Sequence, residues 1–210
     1  MRFYGTASGL KVCDAMRAGL LGQIVTPAAG NVVLSGVDWI ADNAVFADKY
    51  PGDEAYLSWL STRPHKDRCV FAVAPDVVGD AAATLARSTP MLSRIRAIVP
   101  VAYVAQNGAT VDSLPWDEFD ALFIGGDTVW KLGPEARALI AEANRRGIWA
   151  HMGRVNSAGR LQRAADSGCD SADGTYLAFG PDQNLPKVLR WLRLTNSPAL
   201  FGPDMEAISA

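Results

Sequence analysis

The chain is poor in the residues that build metal and disulfide sites. Its 210 residues include three cysteines and two histidines. Cys13, Cys69 and Cys169 are odd in number and show no Cys-x-x-Cys spacing. A disulfide framework and a four-thiolate zinc site are therefore excluded. His65 and His151 are too few for a histidine-rich metal centre, so no metal and no cofactor is expected. No strand-like run is followed by GxGxxG, or by GxxxxGK with Ser or Thr, so the common nucleotide-binding loops lack support. No apolar run approaches the ~18 residues that a membrane span needs. The opening Met1–Ala7 lacks the charged-then-apolar order of a signal peptide. A cytoplasmic protein without membrane contact is the expectation. Charge is balanced as well: 20 basic against 22 acidic residues give a net charge of −2, which is not the overall signature of a nucleic-acid binder.

What the chain does have is apolar bulk in short, regular doses. Hydrophobic residues make up 49% of it, enough for one sizeable core at this length. Strand-like runs occur at Arg2–Gly5, Gln23–Thr26, Val37–Ala41, Cys69–Ala74, Val99–Ala105, Ala121–Ile124, Ile148–His151 and Cys169–Ala172. Most are almost continuously apolar, as parallel strands covered on both faces are. Between them lie helical stretches. Gly9–Leu20 has Ser8 as a candidate cap, Asp53–Leu60 carries Tyr56, Leu57 and Leu60 on one face, and Asp80–Ile98 opens on a capping Asp. Pro134–Arg146 runs from a helix-starting Pro to a stop at Gly147. Asn156–Ser167 stops at Gly168, and Asn184–Leu194 has Pro186 in its first turn. Pro27–Gly36 reads as a loop where a helix would be expected, and Gly108–Phe119 has room for a short helix only. Eight strands alternating with helices predict a small single-domain (β/α)8 barrel over residues 1–210, with an open doubly wound sheet as the structural competitor.

In such a barrel the chemistry sits at the C-terminal ends of the strands. Those ends read Ala41-Asp42-Asn43, Ala74-Pro75-Asp76, Ala105-Gln106-Asn107-Gly108, Ile124-Gly125-Gly126-Asp127, His151-Met152-Gly153-Arg154 and Gly168-Cys169-Asp170-Ser171-Ala172-Asp173. Asp, Asn and Gly are common after strands because they suit turns. Six consecutive ends of this kind point to one shared, carboxylate-driven pocket.

In this order, the six ends resemble the signature of the tRNA-guanine transglycosylase superfamily. The family's Ser-Asp-Ser-Gly-Gly-Phe is similar to Ala41–Phe46, its Phe-Asp-Glu to Ala74–Asp76 and its Val-Gln-Gly-Gly to Ala105–Gly108. Its Ile-Gly-Gly-Leu-Ala-Val-Gly is similar to Ile124–Trp130, its Leu-Met-Gly-Val to His151–Arg154 and its Gly-Xaa-Asp-Xaa-Phe-Asp to Gly168–Asp173. The resemblance spans residues ~40–175. It implies Asp173 as nucleophile on a sugar C1′, Asp42 as the second catalytic carboxylate and Asp76 as the reader of a purine edge. Gln106, Gly125, Gly126, His151, Met152, Gly153 and Asp170 are implied as further base-binding residues.

Two departures refine the expectation. No Cys or His follows Cys169, so the family's zinc-bearing insertion is missing, and His151 and Asn107 stand where the family pattern has Leu and Gly. The short, zinc-less form most resembles the phage and bacterial DNA-modifying branch (the DpdA group). That branch implies exchange of guanine in DNA for a free 7-deazaguanine base of the preQ0 type, with a phage-encoded copy acting in the host cytoplasm. The alternatives are a tRNA-directed transglycosylase, a non-catalytic member that binds nucleic acid or a deazapurine, and an unrelated sugar- or phosphate-processing barrel, for which no phosphate-binding Gly-rich loop in the last strands speaks. A run from Asn144 to Arg163 holds Arg145, Arg146, Arg154, Arg160 and Arg163 and no carboxylate. Of these, Arg154, Arg160 and Arg163 follow the seventh strand and are the candidate DNA-phosphate contacts. Trp39, Trp116, Trp130 and Trp149 are candidates for the core or for a homodimer interface.

Overall fold

The computed structural model describes residues 1–30 and 32–197. Eight parallel strands close on themselves in chain order: β1 (Arg2–Gly5), β2 (Gly22–Val25), β3 (Trp39–Ala41), β4 (Cys69–Val73), β5 (Val101–Ala105), β6 (Ala121–Ile124), β7 (Trp149–Met152) and β8 (Ser171–Asp173). β8 pairs back onto β1 through Arg2–Ser171, Phe3–Ala172 and Tyr4–Asp173. The fold is therefore a (β/α)8 barrel, and the open sheet is excluded. Among the described residues seven α-helices surround it: α1 (Leu10–Arg17), α2 (Asp53–Ser61), α3 (Ala81–Arg96), α4 (Thr128–Lys131), α5 (Pro134–Arg146), α6 (Ala158–Asp166) and α7 (Pro181–Asn196).

The helix ends follow local chemistry. The Asp80 carboxylate accepts the Ala83 N–H and starts α3, and Ser157 accepts the Arg160 N–H and starts α6. α5 begins on Pro134 and stops at Gly147, whose left-handed φ of 70° favours glycine. Ser8 does not cap α1. Gly9 occupies that position, and the Ser8 hydroxyl donates to the Leu177 carbonyl instead. α7 starts at Pro181 rather than Asn184, so Pro186 lies inside the helix and not in its first turn. The β2–β3 connection carries no helix among its described residues, and the β5–β6 connection carries two short 3-10 turns at Val111–Ser113 and Trp116–Glu118.

Strand alternation splits the core in two. Outward-facing residues such as Phe3, Leu122, Ala150, Met152 and Ala172 pack under the helices with Leu92, Leu139 and Leu161. Inward-facing residues Tyr4, Ile40, Phe71, Val73, Ala102, Val104 and Ala121 fill the cylinder. Each large apolar side chain removed from water stabilises the fold by roughly 1.5–3 kcal/mol. Trp39 and Trp116 are buried, while Trp130 and Trp149 are half-buried against the same clusters, so all four serve packing within the chain.

Tyr4 and Gly22 are register partners on β1 and β2, and the Tyr4 ring occupies the place of a Gly22 side chain. A Cβ there would stand 2.2 Å from the ring. Gly22→Ala is expected to lower the unfolding free energy by about 1–3 kcal/mol, as overpacking does. Urea denaturation with an unchanged slope checks it.

Candidate active site

The C-terminal ends of the strands and the loops leaving them line a cavity of about 250 Å³ at the mouth of the barrel. Its floor is apolar, with Val73, Val104 and Phe123, and its walls include Asp42, Asn43, Asp76, Gln106, Gly125, Arg154 and Asp173. Asp42, Asp76 and Asp173 thus converge in space from positions 131 residues apart in sequence.

Each carboxylate is held by short-range donors. Asp42 follows β3 directly, and its Oδ1 accepts the Ala44 N–H at 2.7 Å. Asp76 accepts the Asn43 amide at 3.0 Å on one oxygen and the Gln106 amide at 2.7 Å on the other. Asp173 closes β8, where its Oδ1 accepts the Arg154 N–H at 3.0 Å and its Oδ2 lies 3.0 Å from His151 Nε2. The residues donating backbone N–H to Asp42 and Asp173, Ala44 and Arg154, both have left-handed backbones, with φ of 63° and 59°. That conformation costs a non-glycine residue about 1–2 kcal/mol, so backbone strain here is coupled to carboxylate binding.

Burial dominates the electrostatics. It pushes the Asp42 carboxyl up from 3.8 to about 6, and the neighbouring charges of Asp173 and Asp76 add to the rise. Asp76 is also raised by burial, against the pull of its two amide donors and of Arg154. At neutral pH this favours one proton retained among the carboxylates more than ordinary aspartates would.

Three further residues complete the site. Asn43 is buried and ties β4 to the β3 loop through the Ala74 carbonyl and Asp76. Arg154 reaches the Gly126 carbonyl and lies 4.3 Å over the ring of Phe46. Lys131 is buried, donates to the Gly153 carbonyl at 2.7 Å and is pushed down to about 8 by burial, with Arg154 adding to the fall. The strand-end pair Asp42-Asn43 carried a signal for the first. The other two depend on loop paths that spacing does not reveal.

Several expected base-binding roles are corrected. Met152 faces outward into the helix-side core and not into the cavity. Asp170 precedes β8 at the opposite end of the barrel, where its carboxylate accepts the Ala150 N–H. His151 lies inside the barrel below the cavity and touches Asp173, so it does not line the base site. The Gly126 N–H is already given to Gln106 Oε1 at 2.8 Å, and the same oxygen accepts the Gly79 N–H. Gln106 therefore clamps three loops, and neither group is free to meet a ligand in this state. Gly125 lines the cavity because any side chain would strike Gln106 and Val104 at 2.8 Å. Gly153 packs against the Phe123 ring.

The basic run divides in three. Arg145 and Arg146 pair with Glu142, Arg154 lines the cavity, and Arg160 and Arg163 lie on α6, with Arg160 in the turn nearer the mouth. Among the described residues no group of three or more His, Cys, Asp or Glu side chains is placed to share a metal ion, and no helix is long and apolar enough to cross a membrane.

The solved structures similar to this chain are barrels. A Sinorhizobium meliloti protein assigned as an isomerase, in an open-loop conformation, matches with a TM-score of 0.53 and 14% identity over 88% of this chain. This chain spans about half of that one, 52%. A structure described as native KDPGal matches with a TM-score of 0.55 and 9% identity over 93% of this chain and 96% of the other. These likenesses show the barrel fold. No protein-family model and no curated protein matches the sequence.

The raised Asp42 carboxyl has a stability signature. Folded, it keeps its proton up to about pH 6; unfolded, it loses it near 3.8. The folded state thus binds more protons in between, and stability falls as pH rises through this window. Asp42→Asn keeps the acceptor for the Ala44 N–H and has no proton to lose. Relative to wild type it is expected to gain on the order of 3 kcal/mol between pH 4 and 7, read by urea unfolding across pH.

Proposed function

We propose that this barrel is a base-exchange transglycosylase, which replaces guanine in DNA by a free 7-deazaguanine base through a covalent Asp173–deoxyribose intermediate. The observation that carries the proposal is the meeting of Asp42, Asp76 and Asp173 in one cavity. The ordered resemblance of six strand ends to the guanine transglycosylases supplies the roles.

The Asp173 carboxylate attacks C1′ as the C1′–N bond to guanine breaks, and the bond electrons leave with the base. Asp42, which holds a proton to about pH 6, gives it to the departing purine. The entering base returns a proton to Asp42 and attacks C1′ on the vacated face, releasing Asp173. This is double displacement with a base in place of water. Asp76 accepts a paired N–H edge of a guanine-type base in this reading, while Gln106 and Asn43 hold its two oxygens. Phe123, Val73 and Val104 offer an apolar floor for the ring.

The nucleotide must leave a stack to reach a cavity below the barrel rim. Exposed Phe46 and Phe179 on loops of the same face are suited to stack on neighbouring bases. Arg160 and Arg163 are suited to meet phosphates, in a salt-dependent way.

Entry of a labelled 7-deazaguanine base into DNA tests the proposal. Wild type is expected to incorporate label, and Asp173→Asn to incorporate none. With wild type, kcat/KM is expected to fall as pH rises through about 6, because Asp42 then loses the proton it must give. Label entering tRNA but not DNA would move the substrate to RNA. No exchange into either nucleic acid would reject the chemistry.

A further inference from the structure

Apart from the Tyr4 hydroxyl on β1, the polar side chains inside the cylinder lie along β7 and β8. There the Trp149 indole N–H donates to Ser171 Oγ at 2.7 Å. Ser171 Oγ lies 2.8 Å from His151 Nδ1, and His151 Nε2 lies 3.0 Å from Asp173 Oδ2. His151 and Ser171 are fully buried. The imidazole is boxed by aromatic rings, with centroids at 4.8 Å for Phe123, 5.2 Å for Phe71 and 6.1 Å for Tyr4. These four polar side chains form one line from the barrel interior up to the cavity.

The direction of the line follows from which groups can only donate. An indole N–H has no acceptor role, so Trp149 fills one lone pair of Ser171. The Ser171 hydroxyl proton then needs an acceptor, and Nδ1 of His151 is the one within reach. Nδ1 is therefore bare, and the proton of a neutral imidazole sits on Nε2, aimed at Asp173. The opposite tautomer would leave the hydroxyl proton unpaired in an apolar interior. The order Ser–His–Asp is not a hydrolase triad here, because Ser171 is sealed beneath the imidazole and does not line the cavity.

We propose that His151 is the positioning residue of Asp173. It exists as the neutral Nε2–H tautomer fixed by Trp149 and Ser171, and holds Oδ2 while the Arg154 N–H holds Oδ1. The carboxylate is thereby pinned at both oxygens, with its remaining lone pairs facing the cavity. The positioning role builds on the proposed nucleophilic role of Asp173, whereas the tautomer stands apart from it.

The chain has two histidines, and His65 is exposed, so ring-nitrogen NMR separates them without substitution. Wild-type His151 is expected to show a protonated Nε2 and a bare Nδ1. Ser171→Ala, which removes the donor to Nδ1, is expected to give a mixture of tautomers. In the base-exchange assay, His151→Leu is expected to lower kcat roughly ten- to hundredfold with KM little changed. His151→Gln, which can still donate an N–H, is expected to recover part of that loss. A thermal melt identifies a variant that fails to fold, in which case Ser171→Ala carries the kinetic arm with a smaller fall in kcat. A protonated Nδ1 in wild type overturns the inference, as does full kcat in a folded His151→Leu. Wild type that exchanges no base rejects the proposed reaction and removes the positioning role with it, while the NMR result alone decides the tautomer.

Discussion

Three carboxylates face one small cavity with an apolar floor, and the loops of the barrel mouth are arranged to satisfy them. A buried carboxylate without partners is costly, and like charges close together raise that cost. The structure answers with backbone N–H groups from Ala44 and Arg154, the amides of Asn43 and Gln106, and the imidazole of His151. It also answers by pushing the Asp42 carboxyl up to about 6, so that below this pH a proton offsets one charge. The left-handed backbones at Ala44 and Arg154 follow from the same demand.

The clamp at Gln106 links this chemistry to the architecture. Its oxygen gathers the Gly79 and Gly126 N–H groups, and its amide serves Asp76. Loops from three successive strands are thus tied at one side chain. Lys131 repeats the device between the β6 and β7 loops through the Gly153 carbonyl. A rigid rim of this kind holds reacting groups to a fixed geometry, which is what a displacement at a sugar carbon requires.

The barrel was legible because parallel strands covered on both faces are continuously apolar, and all eight runs form strands within about two residues. Asp42, Asp76, Gln106 and Asp173 were legible as polar residues ending such runs. The failures have physical causes. Met152 and His151 are adjacent, and strand alternation sends one to each side of the sheet, which an apolar run does not disclose. Asp170 was misplaced because β8 begins two residues later than its apolar pattern, so a residue assigned to the mouth caps the far end. Gly126 is expected at the base, and nothing in a linear motif shows that Gln106 consumes its N–H.

The proposed reaction requires an oxygen of Asp173 to bond to the sugar C1′. Intact-protein mass spectrometry after mixing the chain with DNA, without an incoming base, measures this directly. The expected result is a mass increase of one DNA strand less one guanine, which maps to Asp173 and is absent in Asp173→Asn. An unmodified protein with demonstrable base exchange, or an adduct that survives in Asp173→Asn, would contradict it.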